Sequence, residues 1–326
     1  MNDHIPGGYV LIKDLHECNG NNNEGISLVK DPATQTLPIC KKIEDLRGNG
    51  TDMEAEALVQ LDKFPNIIKL HDYNPVDSTP AAIPPSEPVP ASEPPRKDSI
   101  FQPSSVLTKS QPPPDSESEA QLSPLPETRP PLNHLFLEYC DLGTLASLTN
   151  THAQLELRIP ESFIWYVLYA LLKAVHACQT GLGTKPNWRP ITHHDIHANN
   201  VLLSSSSPDI TSSTGGYPRV VLADFGLAEY GSNNYWADVV DVAAVGMSLC
   251  WSQFEDDEIY EAMRCGIGVD IAEWPYSQTL YNVLQDLAFG DQMRVAEAVE
   301  MVRRGCAVAD SMEYGGKVWP SRTVVD

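Results

Sequence analysis

One stretch of the chain, THHDIHANNVLL at residues 192–203, concentrates side chains that can do chemistry. His193 and His197 lie four apart, so on a helix they would share one face and hold a zinc ion with a neighbouring acid or histidine. Asn, Asp and His also favour turns, so the stretch could instead be a solvated turn that leads into a strand. A third interpretation is phosphoryl transfer, in which Asp195 orients the attacking hydroxyl and Asn200 holds a magnesium ion.

A second aspartate follows 29 residues after Asp195, in the sequence ADFGLA of residues 223–228. The apolar run RVVL stands directly before this motif and predicts a strand. Gly226 lets the backbone turn sharply after that strand. Asp224 can therefore place its carboxylate in a cleft.

The order of these two motifs resembles that of the protein kinase family. HHDIHANNVLL resembles the catalytic loop HRDLKxxNxLL, and ADFGLA resembles the metal-binding DFG motif. The segment ICKKI resembles the strand that contains the kinase lysine, here Lys41. Glu54 in the next predicted helix would be its ion-pair partner, with Glu56 as the competing choice. Gly20 and Gly25 match the first and last glycines of the phosphate-covering loop.

Three later segments extend the resemblance. LFLEYC resembles the hinge, so Leu137 would be the gatekeeper, and the backbone of Glu138 and Cys140 would meet the adenine. DVAAVGMSL resembles a buried helix whose first residue, Asp241, supports the catalytic loop. DQMRVAEAVEMV resembles the closing segment of the fold, with Arg294 as its arginine.

The resemblance implies ATP and Mg²⁺ as cofactors and assigns each side chain a role. Lys41 would hold the phosphates that do not react, and Asp224 and Asn200 would bind magnesium. Asp195 would accept or orient the hydroxyl proton of the substrate. His197 stands where a lysine would contact the transferring phosphate. The resemblance thus implies a kinase whose substrate is a protein Ser or Thr hydroxyl.

The chain departs from the family pattern in four places. His194 replaces the arginine of HRD, His197 replaces the loop lysine, and Asn22 replaces the middle glycine of the phosphate-covering loop. Residues 224–241 form a short segment without an APE motif, so Arg294 lacks its usual glutamate and needs another acid or exposure to solvent. We therefore expect no switching by phosphorylation of this segment.

Two other functions remain open at this point. The missing peptide platform favours a pseudokinase, a nucleotide-binding or scaffolding domain without turnover. The sequence DxHxxN, here with His197, also occurs in small-molecule phosphotransferases of the aminoglycoside and choline kinase type, which favours a small-molecule substrate.

The predicted elements divide the chain into two parts. The first third is rich in predicted strands and the remainder in predicted helices, which suggests two packed lobes with a cleft between them. Residues 74–131 contain 16 of the 27 prolines, so we expect a disordered insert. With the resemblance, this predicts an α+β, bilobal protein kinase-like fold. The small lobe, at 1–137, would be an antiparallel sheet with one main helix, and the larger lobe, at 138–326, would be mainly helical.

Composition limits the possible partners. The net charge is -22, and the insert holds eight acids and four bases, a net of -4, so -18 falls on the rest of the chain and disfavours nucleic acid. The longest mostly apolar stretch, residues 163–175, is too short to span a bilayer. Seven scattered cysteines without a CxxC pair indicate a reducing compartment, cytoplasm or nucleus. We expect a protein substrate, and partner binding through the insert.

Overall fold

The structure is a computed structural model that describes residues 5–15, 25–44, 53–75, 132–184, 186–205, 217–232, 234–251, 274–290 and 293–310. Within these residues the chain is of mixed α and β type, as predicted, with a five-stranded antiparallel sheet and six α-helices. The strands of the sheet come from the N-terminal part of the chain, and five of the six helices follow them.

The sheet has the strand order β1-β2-β3-β5-β4. Its strands are β1 (Val10–Asp14), β2 (Ile26–Lys30), β3 (Ile39–Glu44), β4 (Leu70–Asn74) and β5 (Leu132–Leu137). Strand β3 is central and pairs along its length with β5. Side chains alternate between the two faces of a strand, so Cys40 packs against Phe136 in a small cluster on one face and Lys41 points to the other.

The helices surround one long buried helix. They are α1 (Met53–Leu61), α2 (Leu145–Gln154), α3 (Glu161–Thr180), α4 (Tyr235–Cys250), α5 (Gln278–Phe289) and α6 (Val295–Asp310). Helix α3 is apolar around most of its circumference and packs against both α4 and α6, as its sequence predicts. At Gly246 of α4, an added Cβ would lie 2.6 Å from Leu284 of α5, so the helices cross closely there. Among the described helices, none is long and apolar enough to cross a membrane.

Two pairs of short strands lie next to this helical part. Strand β6 (Ile191–Thr192) pairs with β9 (Glu229–Tyr230), and β7 (Val201–Ser204) pairs with β8 (Arg219–Leu222), both antiparallel. Strands β7 and β8 therefore flank the polar run of residues 204–218, whose sequence predicts a long hairpin loop.

The predicted insert begins later than expected. Asn74, its first predicted residue, is the last residue of β4 and pairs with His134 of β5. Residues 76–131 lie outside the described residues. The strand pairing therefore moves the start of the predicted insert to a point after Asn74.

The residues that follow α1 connect the sheet to β8. Ile68 N donates to Leu222 O at 2.9 Å, and Leu222 N donates to Asn66 O at 2.9 Å. The run NIIKLHDY at residues 66–73 predicts a strand from Asn66, but the strand begins only at Leu70, because residues 66–68 bond to β8 instead. These bonds tie the end of α1 to the strand that precedes Asp224.

Candidate active site

Lys41 links the sheet to the rest of the site. Its ammonium donates to Glu54 Oε2 at 2.8 Å and to Asp224 Oδ1 at 2.8 Å, so one cation bridges a carboxylate of α1 and the carboxylate that follows β8. Glu54 is 1% exposed, whereas Glu56 points to solvent. The ion pair therefore forms with Glu54, the first of the two partners considered from the sequence.

The contacts of Lys41 favour the charged forms of Lys41 and Asp224. Burial disfavours the charged form of Lys41, but Glu54 and Asp224 outweigh burial and hold the pKa of Lys41 above its ordinary value. Burial likewise acts to raise the pKa of Asp224, but the charge and hydrogen bond of Lys41, with a further bond from Gly226 N, hold that pKa below its ordinary value. Lys41 is therefore protonated and Asp224 ionised at neutral pH.

Strands β7 and β8 bring the residues of the predicted catalytic loop next to Asp224. The pairing continues one step beyond the strands, where Ala223 N donates to Asn200 O at 2.9 Å. The side-chain Nδ2 of Asn200 donates to Asp195 O at 3.0 Å and to Asp195 Oδ2 at 2.9 Å. The structure thus brings together Asp195, Asn200 and Asp224, which the sequence supplies from two separate motifs.

His193 is a packed structural residue with 0% exposure. Asp195 N donates to its Nδ1 at 3.2 Å, so the ring proton is on Nε2, which donates to Ala223 O at 3.1 Å. Its ring meets Phe225 edge to face, with centroids 4.6 Å apart. Burial lowers the pKa of His193 to about 4. Both nitrogens are engaged, which excludes His193 as a zinc ligand, and no group of three His, Cys, Asp or Glu in the described ranges could hold a metal.

His197 lies beside Asp195, and both side chains are partly exposed. Its Nε2 is 3.6 Å from Asp195 Oδ1, and its side chain is 39% exposed. This distance is too long for a hydrogen bond and allows a loose ion pair when the imidazole is protonated. His197 therefore adds positive charge beside Asp195 only in its protonated form.

A fully buried aspartate of α4 supports the loop. Asp238 accepts a bond from His193 N at 2.9 Å and one from His194 N at 3.0 Å. His194 has φ 65°, a left-handed conformation that is uncommon outside glycine, so these bonds stabilise an unfavourable backbone. The resemblance assigned this role to Asp241, but the backbone amides of His193 and His194 bond to Asp238. Helix α4 begins at Tyr235, ahead of its predicted start, so the supporting carboxylate lies nearly one turn earlier.

We expect Asp238→Asn to lower the free energy of unfolding by about 2–3 kcal/mol, because the amide offers one acceptor oxygen for two buried N–H donors. Asp241→Asn, three residues later on the same helix, is the matched control and should cost less than half as much, since Asp241 is half-buried. Denaturant unfolding of both variants measures the difference. Equal losses would contradict this role for Asp238.

Two buried groups should change the stability of the protein in opposite directions as the pH falls. Unfolded His193 binds a proton near pH 6.5, but the folded protein binds it only near pH 4, so stability falls as pH drops through this window. Burial raises the pKa of Asp238 from 3.8 to about 6, so the contribution of Asp238 to stability rises as the pH drops from about 6 to 3.8. In the native protein the two largely cancel.

We expect the Asp238→Asn variant to lose about 3 kcal/mol of stability between pH 6.5 and pH 4, because only the His193 contribution remains. Over the same range the native protein should change much less. Denaturant unfolding at several pH values in this range checks both profiles. A variant whose stability is as insensitive to acid as that of the native protein would show the prediction to be wrong.

The residues after β5 lie where the resemblance predicts the hinge. Leu137 and Cys140 are buried, and Glu138 N donates to Lys69 O at 2.9 Å. The Glu138 carboxylate pairs with Arg219 of β8. Within the described part of the chain, the carbonyl oxygen of Glu138 and the amide of Cys140 make no hydrogen bond.

The predicted phosphate-covering loop is described only at its end. Gly25 has φ 82°, which only glycine adopts readily, and its carbonyl accepts a bond from Lys42 N at 3.0 Å. This bond holds the end of the loop beside the strand that contains Lys41. Gly20 lies outside the described residues.

The segment between Asp224 and α4 is short and closely held. Strand β9 pairs with β6, and Gly231 N donates to Pro190 O at 2.8 Å. The Nε2 of His194 lies 3.3 Å from Glu229 Oε2. The histidine that replaces the HRD arginine thus has an acidic partner within the chain itself.

The sequence did not identify the roles of Asp238 and Arg219, and it left open whether Arg294 has an acidic partner or is exposed. Asp238 stood in the segment before the predicted helix, and its only signal was its spacing from Asp241. Arg219 begins the apolar run RVVL, and a cation at the head of a buried strand is a signal that it has a partner. Arg294 is exposed, the second of the two outcomes expected for it.

Asp224 and Asn200 offer the oxygen ligands that magnesium prefers. The Asp224 side chain is 44% exposed and can meet a ligand from solvent. Asn200 donates to Asp195 through Nδ2, so its carbonyl oxygen faces away from that carboxylate. The donor chemistry of the two residues therefore fits a magnesium ion that takes its remaining ligands from a bound substrate or from water.

No protein family model matches the chain, and no curated protein shows significant sequence similarity to it. The chemistry of the site is therefore inferred from its own geometry and from the two motifs that contain Asp195 and Asp224.

Proposed function

We propose that this chain is an ATP- and magnesium-dependent phosphotransferase of the protein kinase type, which transfers the γ-phosphate of ATP to a Ser or Thr hydroxyl of a protein. The observation that supports this most is Lys41, which bridges buried Glu54 and part-exposed Asp224 next to the hydrogen-bonded pair of Asp195 and Asn200. A lysine with a purely structural role needs only one acidic partner to balance its charge. A second acid that remains open to solvent suits a site that binds a charged ligand.

The same geometry supports a bilobal arrangement. In this proposal the five-stranded sheet and α1 form the small lobe, within residues 1–137, and residues 138–326 form the larger, mainly helical lobe. Lys41 comes from the sheet and Asp224 from the end of β8, so their contact would lie in the cleft between the lobes.

Lys41 would act through its charge and position. Glu54 is a buried residue of α1, so its hydrogen bond fixes the ammonium in place and keeps it from turning toward solvent. An ammonium held in this way stabilises phosphate oxygens without reorganising during the reaction. It would bind the α- and β-phosphates in both the ground state and the transition state.

Asp195 would accept the proton of the acceptor hydroxyl. Asn200 donates to Asp195 Oδ2, which leaves Oδ1 on the open side toward His197 for the hydroxyl. Asp224 and Asn200 would bind magnesium, which supplies neutralising charge for the transferred phosphoryl group. Asn200 would thus orient the base and bind the ion through different atoms of one amide group.

The hinge residues would select the nucleotide. The carbonyl of Glu138 and the amide of Cys140 offer an acceptor and a donor two residues apart, a pattern that suits the edge of adenine. Leu137 would lie behind the base and limit the depth of the pocket.

A second candidate is phosphotransfer to a small alcohol. It is favoured by His197, which stands in the place of the loop lysine, and by the short segment around Glu229, which leaves little surface on which to lay a peptide. The third possibility, a pseudokinase, predicts nucleotide binding without transfer, or neither.

The three are separated by incubating the protein with γ-labelled ATP and magnesium, together with a generic acceptor protein or a panel of small alcohols. We expect label in the acceptor protein. Label only in an alcohol would replace the proposal with the second candidate. Nucleotide binding without label transfer would favour the pseudokinase, and no binding of MgATP by the folded protein would overturn nucleotide chemistry altogether.

We also propose that the protein works inside the cell, in the cytoplasm or nucleus, and meets its protein partners partly through residues 74–131. Five cysteines in the described ranges are free thiols, which suits a reducing compartment. The strongly acidic composition disfavours nucleic acid as a partner.

A further inference from the structure

A buried ion pair holds the predicted hinge. Arg219, the first residue of β8, is 5% exposed, and its Nη2 donates to Glu138 Oε1. Its Nη1 donates to Pro65 O at 2.9 Å. One guanidinium therefore joins β8, the segment after α1 and the residue that follows β5.

This contact leaves Glu138 little freedom. Its side chain is held by Arg219, and its backbone N donates to Lys69 O at 2.9 Å. The two groups proposed to meet adenine, the carbonyl of Glu138 and the amide of Cys140, belong to this same short segment. Because the planar guanidinium donates in fixed directions, it positions the carboxylate of Glu138 as well as balancing its charge.

Stability alone does not account for the pair. Removing two charges from water costs free energy that their attraction often only offsets, so an apolar pair of similar volume serves a core equally well. Within the described residues, Glu138 Oε2 and Arg219 Nε are also buried without a hydrogen-bond partner, which adds to the cost. A costly pair on the residue whose carbonyl is proposed to meet adenine points to a positional role.

We infer that Arg219 is a positioning residue that acts through Glu138 to align the hinge with the adenine of ATP, and that it contributes little to binding of the phosphates. This inference rests on the proposed function. It separates two halves of the nucleotide site: the hinge, which depends on Arg219, and the phosphate site, which depends on Lys41 and Asp224.

The test compares MgATP with magnesium and inorganic tripolyphosphate, which shares the phosphates and lacks the base. For Arg219→Met we expect the Kd of MgATP to rise about tenfold, the effect of losing about one well-placed hydrogen bond, while the Kd of tripolyphosphate stays the same. Arg303→Met, an exposed arginine on α6, is the matched control and should change neither. Calorimetry measures both constants.

A double variant distinguishes position from stability. Arg219→Met leaves Glu138 buried without its cation and should unfold at lower temperature, whereas Arg219→Met with Glu138→Leu removes both charges and should recover stability. We expect the double variant to bind MgATP as weakly as the single variant. Recovery of MgATP affinity together with stability would overturn the inference, as would an equal loss of affinity for tripolyphosphate.

The native protein gives the reference for both proposals. Native protein that binds MgATP, with Arg219→Met binding it equally well, would overturn the positional role and leave the proposed function intact. Native protein that binds neither MgATP nor tripolyphosphate would overturn both.

Discussion

The Asp195→Asn variant should transfer phosphate from ATP about 10³-fold more slowly than the native protein, because it lacks the carboxylate that accepts the hydroxyl proton. Asparagine has the same shape, and Asn200 can still bond to its side-chain oxygen, so the loop should keep its conformation. Affinity for MgATP should therefore stay nearly constant. Single-turnover transfer of label, with nucleotide binding measured in parallel, gives both quantities.

Asp72→Asn makes the same chemical change at an exposed carboxylate of β4 and should leave transfer unchanged. Loss of transfer in Asp195→Asn together with loss of nucleotide binding would point to a damaged fold. Undiminished transfer would rule out Asp195 as the proton acceptor and require another base in the site.

Lys41→Met should reduce transfer by about 10²- to 10³-fold, because the site loses a fixed cation that stabilises charge in the transition state. It should also destabilise the fold by about 3–5 kcal/mol, since Glu54 is left buried without its partner. Lys42→Met is the matched control, because Lys42 follows on the same strand and points to the opposite face of the sheet. Transfer rates and urea unfolding of both variants measure the two effects.

Pairing Lys41→Met with Glu54→Met separates the two losses. Removal of both charges should restore stability, because no unpaired carboxylate remains in the core. Transfer should stay low. Glu54→Gln should slow transfer and Glu56→Gln should not, because Glu54 is the one of these two glutamates that contacts Lys41. If the double variant recovered transfer, Lys41 would be structural and the proposed role of its charge would be wrong.

The parts of the site that could be predicted are those in which a residue type and a local pattern coincide. Lys41 lies in an apolar strand, Asp224 follows another strand and precedes a glycine, and Asp195 and Asn200 share one loop. Each is recognisable within a few neighbours. The structure brings all of them together, including Lys41 and Asp224, which are 183 residues apart.

The parts that could not be predicted depend on long-range geometry. Asp238 and Asp241 are three apart on one helix, so they occupy similar faces and helix geometry alone does not choose between them. The choice follows from where α4 begins and from the left-handed backbone of His194, which needs a nearby acceptor. Arg219 and Glu138 are 81 residues apart, and no local pattern pairs them.

The bonds that join Asn66 and Ile68 to Leu222 also tie Asp224 to the segment that follows α1, because Leu222 lies only two residues before Asp224. Glu54 on α1 and Asp224 after β8 thus reach Lys41 from two parts of the chain that are themselves joined by backbone hydrogen bonds. The spacing of the two acids is therefore set by these backbone bonds as well as by the ammonium between them.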